Sequence, residues 1–203
     1  MQLPAFFREA RRLRVRDPLA EFLGAAPDGI LEYGYEDAVK LAGHSCPTVA
    51  SAYLLTCRAL DALYPGELPE RGGVAVSLRD SVEAGVSGVI ASIATLLTGA
   101  AGDGGFRGLG GRFGRRDLLA FGTTQSMALR FTRVDTGAAV DAQADLGDIP
   151  GDPEMPELMG RCLHGEATAA ERARFGALWQ ERVRRILIEH ADDQSVFVIR
   201  PAA

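Results

Sequence analysis

The sequence predicts an α+β protein: a single core domain whose helices pack an antiparallel or mixed sheet, plus a helical C-terminal extension. Three patterns carry that prediction. From Cys46 to Leu63, apolar residues recur at helical spacing: Val49, Ala50, Tyr53, Leu54, Cys57, Leu60 and Leu63. Met127, Leu129 and Phe131 alternate with Ala128, Arg130 and Thr132, the period of a half-exposed strand. Thr168 and Glu171 form a capping box ahead of Phe175, Leu178, Trp179, Val183 and Ile186, which share one broad helical face.

The remaining elements follow in order. Pro4–Leu13 and Pro18–Leu23 read as short helices, the second capped by Asp17. Residues 29–34 read as a short strand and Tyr35–Ala42 as a helix. The helix from Cys46 ends at Tyr64-Pro65-Gly66. A buried strand is expected over Gly73–Leu78 and a small-residue helix over Ser81–Leu97. Strands are expected over 117–122, 125–133 and 138–142. Three prolines between Asp148 and Pro156 mark a linker, a helix follows over Thr168–Ile188, and a last strand is expected over Ser195–Ile199. The division is thus a core of residues 1–147 and an extension of residues 148–203 packed on it.

Across 203 residues, 47% hydrophobic and 24% charged side chains suffice for one sizeable core. The net charge of −5 argues against general nucleic-acid binding. The apolar run from Met1 to Phe7 is too short for a signal peptide, and Val86–Leu97 is too short and too interrupted to cross a membrane. Three cysteines without a Cys-x-x-Cys pair suit a reducing cytoplasm better than a disulfide framework.

Gly43-His44-Ser45-Cys46-Pro47 concentrates the chemistry. Pro47 suits a first helical position, since its missing N–H would be unpaired there anyway. Cys46 then stands at the N-cap, facing free amides and the positive end of the helix dipole, a setting that favours a thiolate. An imidazole two residues away makes His44 and Cys46 candidates both for binding a divalent metal and for catalysis. Cys57 lies about 16 Å further along the same helix, too far to share an ion, and reads as core. His164 beside Cys162, and His190, read as helix-end residues.

These five residues and the small-residue helix Thr48–Tyr53 resemble the signature of the FmdE-like family of formylmethanofuran dehydrogenase proteins. The order of elements over roughly residues 35–140 agrees, with Thr98-Gly99 opening a glycine-rich segment. The resemblance implies an α+β core and a homodimer but supplies no defined biochemical activity; the metal-binding, redox or small-molecule role is read from the His-x-Cys motif. Asp80, after the predicted strand, is the candidate third ligand. Where relatives carry further cysteines this chain has Val82 and Ala100, so two soft ligands are missing and a zinc finger is absent.

Zinc is the expected ion, and haem is the alternative, with Tyr33, Tyr35 and Tyr53 as pocket-lining candidates. The segment 102–116 reads as a flexible loop or hairpin over the site, or as a lid that closes over His44 and Cys46, where Arg107 or Arg112 would meet a substrate carboxylate. Whether the chain is a binding protein or an enzyme acting on a small polar molecule stays open on the residues alone.

Overall fold

A computed structural model describes residues 3–202; Met1 and Gln2, at the head of the N-terminal apolar run, lie outside the described residues, as does Ala203. Its centre is α3 (Pro47–Leu63), buried on nearly every side. A helix so enclosed needs apolar or small residues all round, and Ala50, Ser51, Ala52 and Ala59 supply the small ones. It packs on α2 (Tyr35–Ala42), on α4 (Ser87–Thr98) and on one face of the main sheet.

That sheet has five strands: β3 (Val74–Leu78), β4 (Leu119–Ala120), β5 (Leu129–Arg133), β6 (Ala139–Ala144) and β7 (Phe197–Pro201). Their spatial order is β4-β3-β5-β6-β7. β3 and β4 run parallel and the other neighbours antiparallel, so of the two expected forms the sheet takes the mixed one. Leu129 and Phe131 point into the core, confirming the alternation. Because β7 pairs with β6, the stretch beyond residue 148 contributes a strand to this sheet as well as helices. Those helices are α5 (Met155–Leu163) and α6 (Ala169–Arg184), the latter opened by the Thr168/Glu171 capping box and prolonged by a π-helical turn, Arg185–Glu189. The three-proline connection is anchored: Ile149 is fully buried, and its carbonyl accepts from Arg182 Nε at 2.8 Å.

Some boundaries differ from the sequence reading. Instead of a helix over Pro4–Leu13, the chain makes one 3-10 turn, Ala5–Arg8, and then β1 (Leu13–Arg16). Leu13 and Val15 are buried while Arg14 and Arg16 face out, a period of two completed by antiparallel pairing with β2 (Ile30–Tyr33). Between them, α1 (Pro18–Phe22) is capped by Asp17 as expected. α4 starts six residues after the expected Ser81, because residues 81–86 form turns through Gly85, at φ 48°. β5 starts later than Gln125, whose buried side chain donates to Ser77 O at 3.0 Å instead of extending the strand.

Candidate functional site

Gly43 ends α2 in the left-handed region (φ 76°), with its N–H bonded to Val39 O at 2.9 Å. An L-residue there would cost roughly 1–2 kcal/mol. The turn delivers Cys46 in extended conformation to the N-cap of α3, with Pro47 at the first helical position. Cys46 Sγ accepts from Val49 N at 3.4 Å, which meets one of the free amides of the helix mouth. The thiol is half-buried against the core. The local geometry read from the motif is therefore the geometry found.

His44 is exposed, and its Nδ1 lies 2.9 Å from Ala42 O. A carbonyl can only accept, so Nδ1 donates this bond, and in the neutral ring the lone pair then lies on Nε2. This is the arrangement in which a histidine is oriented to coordinate a metal through its second nitrogen.

Ser45, between them, is clamped from far along the chain. Its carbonyl accepts from Trp179 Nε1 at 3.0 Å and from Gln180 Nε2 at 3.2 Å. Its hydroxyl donates to Gln180 Oε1 at 3.0 Å and accepts from Tyr35 OH at 2.9 Å. Trp179 and Gln180 both come from α6, which sequence reasoning places only as an extension. No local signal links them to residue 45; the four-residue Gly-His-Ser-Cys turn is held at both ends by helices and in the middle by α6. Burial drives the Tyr35 phenol well above its ordinary pKa, so the group stays a neutral donor. Beside the turn, a mainly apolar cavity of about 490 Å³ is lined by Phe7, Val39, Lys40, His44, Ser45 and Gln180.

The other predicted site residues fall elsewhere. Asp80 is exposed after β3, next to Arg79, and does not line this cavity. Among the described residues, no three or more His, Cys, Asp or Glu side chains gather closely enough to hold an ion. Tyr53 is fully buried, and its hydroxyl donates to Arg11 O at 2.7 Å and Tyr33 O at 3.1 Å; it ties α3 to the stretch ahead of β1 and to β2. Its ring also packs edge-on against that of Tyr35, whose other neighbour is Phe7. None of Tyr33, Tyr35 and Tyr53 is in the lining of the His44 cavity. Core packing claims these rings because large aromatics bury the most area.

The segment 102–116 is pinned back rather than laid over His44. Ala101 N donates to Arg115 O at 2.9 Å and Arg115 N to Phe106 O at 2.8 Å. Leu109 and Arg112 exchange backbone hydrogen bonds at 2.8 and 2.9 Å, closing the tip. Phe113 sets its ring 5.2 Å from that of Phe22. Arg107 is exposed, and Arg112 lines a different cavity, shared with Arg16 and Arg115. Neither arginine reaches the cavity beside His44.

All three cysteines are free thiols. Cys57 is the core residue the spacing implies, its thiol pushed up to about 12 by burial. His164 caps the end of α5, followed by Gly165 at φ 74°, and His190 Nδ1 meets Asp193 Oδ2 at 3.1 Å, so both serve helix ends.

A family model described as FmdE, molybdenum formylmethanofuran dehydrogenase operon, matches residues 41–197. That span takes in the Gly43–Pro47 turn, α3, and the strands β3 to β6. No curated protein matches the chain.

Proposed function

The chain belongs to the FmdE family, and from that premise we propose that it binds a divalent metal, zinc, through His44 and Cys46. The observation that carries this reading is the His44 Nδ1 contact with Ala42 O, which leaves Nε2 as a free donor two residues from a thiol at a helix mouth. Imidazole nitrogen with cysteine sulfur is a donor pair that zinc takes readily. The Val49 amide reaches Cys46 Sγ at 3.4 Å, which fixes the sulfur at the open end of α3. The Ser45 clamp through Gln180 and Trp179 holds the turn that spaces the two ligands.

Two protein ligands leave the remaining positions to water, to a small polar molecule entering beside His44, or to a second copy of the chain in a homodimer. Bound there, zinc would act as a Lewis acid toward such a molecule. This chain's own residues do the positioning: Ala42 orients the ring, α3 presents the thiol, and Lys40, paired with Asp37 at 3.1 Å, stands at the cavity wall. Three unpaired cysteines accord with a cytoplasmic protein.

Metal analysis and an absorption spectrum of the protein, purified from zinc-supplemented cells, test the reading. Near-stoichiometric zinc is expected, lost in both His44→Ala and Cys46→Ala. A Soret band in place of zinc would replace it with haem binding. A metal-free wild type whose zinc titration matches that of both variants ends it. Sedimentation reports on the homodimer separately, and a strict monomer would remove the second copy as a ligand source.

A further inference from the structure

The arginine-rich loop that does not cover His44 builds a site of its own. With its backbone held at Ala101 and Phe106, Arg115 sends its side chain inward until the residue is only 7% exposed. The guanidinium passes between Gly72 and Gly99: a Cβ on Gly72 would fall 1.7 Å from Nη1, and one on Gly99 would fall 2.9 Å from it. Both glycines have positive φ, 92° and 75°, so neither position accepts a side chain easily.

Arg115 Nη2 donates to Asp17 Oδ1 at 2.7 Å, while Nη1 is closed off from solvent and, among the described residues, has no hydrogen-bond partner. Asp17 is itself shared, since Oδ2 accepts from Arg71 Nη1 at 3.0 Å. Burial pulls the pKa of Arg115 down; Asp17 opposes that pull and Arg71 adds to it. A buried cation with an unmet donor is an unfavourable arrangement in the free protein.

Arg115 lines a cavity of about 420 Å³ together with Arg16, Arg71, Arg112, Glu70 and Phe113. Ligand pockets commonly fall between roughly 300 and 1,000 Å³. Arg16 is held by Glu21 at 2.6 Å, and Arg71 by Asp17. Arg112 is exposed and stacks on Phe113 at 4.7 Å, and among the described residues its guanidinium meets no carboxylate. In the groove beside β7, Arg11 pairs with Asp61 and Arg58 donates to Ala191 O at 2.9 Å, while Arg200 is exposed.

The geometry points to a binding site for a small molecule carrying a phosphate or carboxylate group, contacted by Arg112 at its rim, with the charge of Arg115 closed off beneath it. A planar guanidinium suits such an oxyanion because it offers parallel N–H donors. The site is independent of any metal at His44.

Inorganic phosphate and malonate, titrated into the full chain at constant ionic strength, test it by calorimetry and by thermal unfolding. A saturable rise in melting temperature is expected with at least one of them, with chloride giving none. Arg112→Ala should weaken binding about tenfold, the loss of one charge-assisted hydrogen bond. Arg115→Lys, which keeps the charge beneath the cavity, should weaken it less, while Arg116→Ala, in the same loop but off the cavity, should leave it unchanged. If Arg115→Lys fails to fold, the Arg112 and Arg116 variants decide. The tighter of the two ions identifies the group the natural ligand bears. No saturable effect from either ion, an unaffected Arg112→Ala, or an equal loss in Arg116→Ala would overturn the site.

Discussion

The His44–Cys46 turn and the Arg115 cavity place their polar groups by opposite means. In the turn, both donors sit within three consecutive residues. Local backbone rules shape it, through a left-handed glycine, a capping cysteine and a proline at the first helical position, with α6 clamping Ser45 between the donors. In the cavity, Asp17, Arg71 and Arg115 arrive from three distant stretches of chain and meet as buried charges. The lesson is that local geometry can present reactive atoms at little energetic cost, whereas gathering charges from afar makes them part of the protein's stability. Substituting the turn should therefore disturb binding more than folding, and substituting the cavity's charges should do the reverse.

The largest expected effect tests the second half of that contrast. Asp17→Ala leaves Arg71 and Arg115 without their carboxylate, and removing one partner of a buried ion pair costs roughly 3–5 kcal/mol. Urea unfolding at neutral pH measures it; a loss as small as that of an ordinary surface substitution would break the comparison. The pH dependence sharpens it. Burial works to raise the pKa of Asp17, but the Ala20 amide and the two arginines outweigh it and the net shift is downward. The folded value lies below the unfolded one, so the stabilisation is complete above the ordinary carboxylate range. It fades as pH falls through the folded value. Wild-type urea midpoints should drop more steeply on acidification below about pH 4 than those of Asp17→Asn.

An intermediate effect is expected from Gly43→Ala. A side chain at φ 76° costs roughly 1–2 kcal/mol, and the same shift of the turn should weaken zinc binding. Calorimetric zinc titration beside urea unfolding reads both; unchanged affinity at reduced stability would separate the turn from the ligands. The smallest effect on folding is expected from His44→Ala, within about 0.5 kcal/mol because the ring is exposed. If that variant unfolds early, the turn does not present His44 cheaply.

Legibility in the sequence follows the same division. The N-cap of α3, the Asp17 cap, the α6 capping box and the alternation of β5 are readable because each depends on neighbours a few residues away. β1 is not: Leu13-Arg14-Val15-Arg16 is too short to declare its period until Tyr33 and Leu31 pair with it. Tyr53 reads as a pocket residue because its helical position announces burial without saying what the hydroxyl reaches. Arg112 and Arg107 look like partners of His44 only because a glycine-rich segment leaves its own direction open. Trp179 and Gln180, which hold Ser45, carry no signal toward residue 45 at all.

By itself, then, the amino-acid order determined the α+β class, most element ends and the imidazole-and-thiol turn, since capping, periodicity and backbone conformation act over a few residues. Only the tertiary structure decided that α6 clamps that turn, that β7 joins the main sheet, and that Arg115 lies buried with one donor unmet. Those outcomes turn on which distant groups can fill one another's hydrogen bonds once water is excluded, and no window of sequence contains both partners.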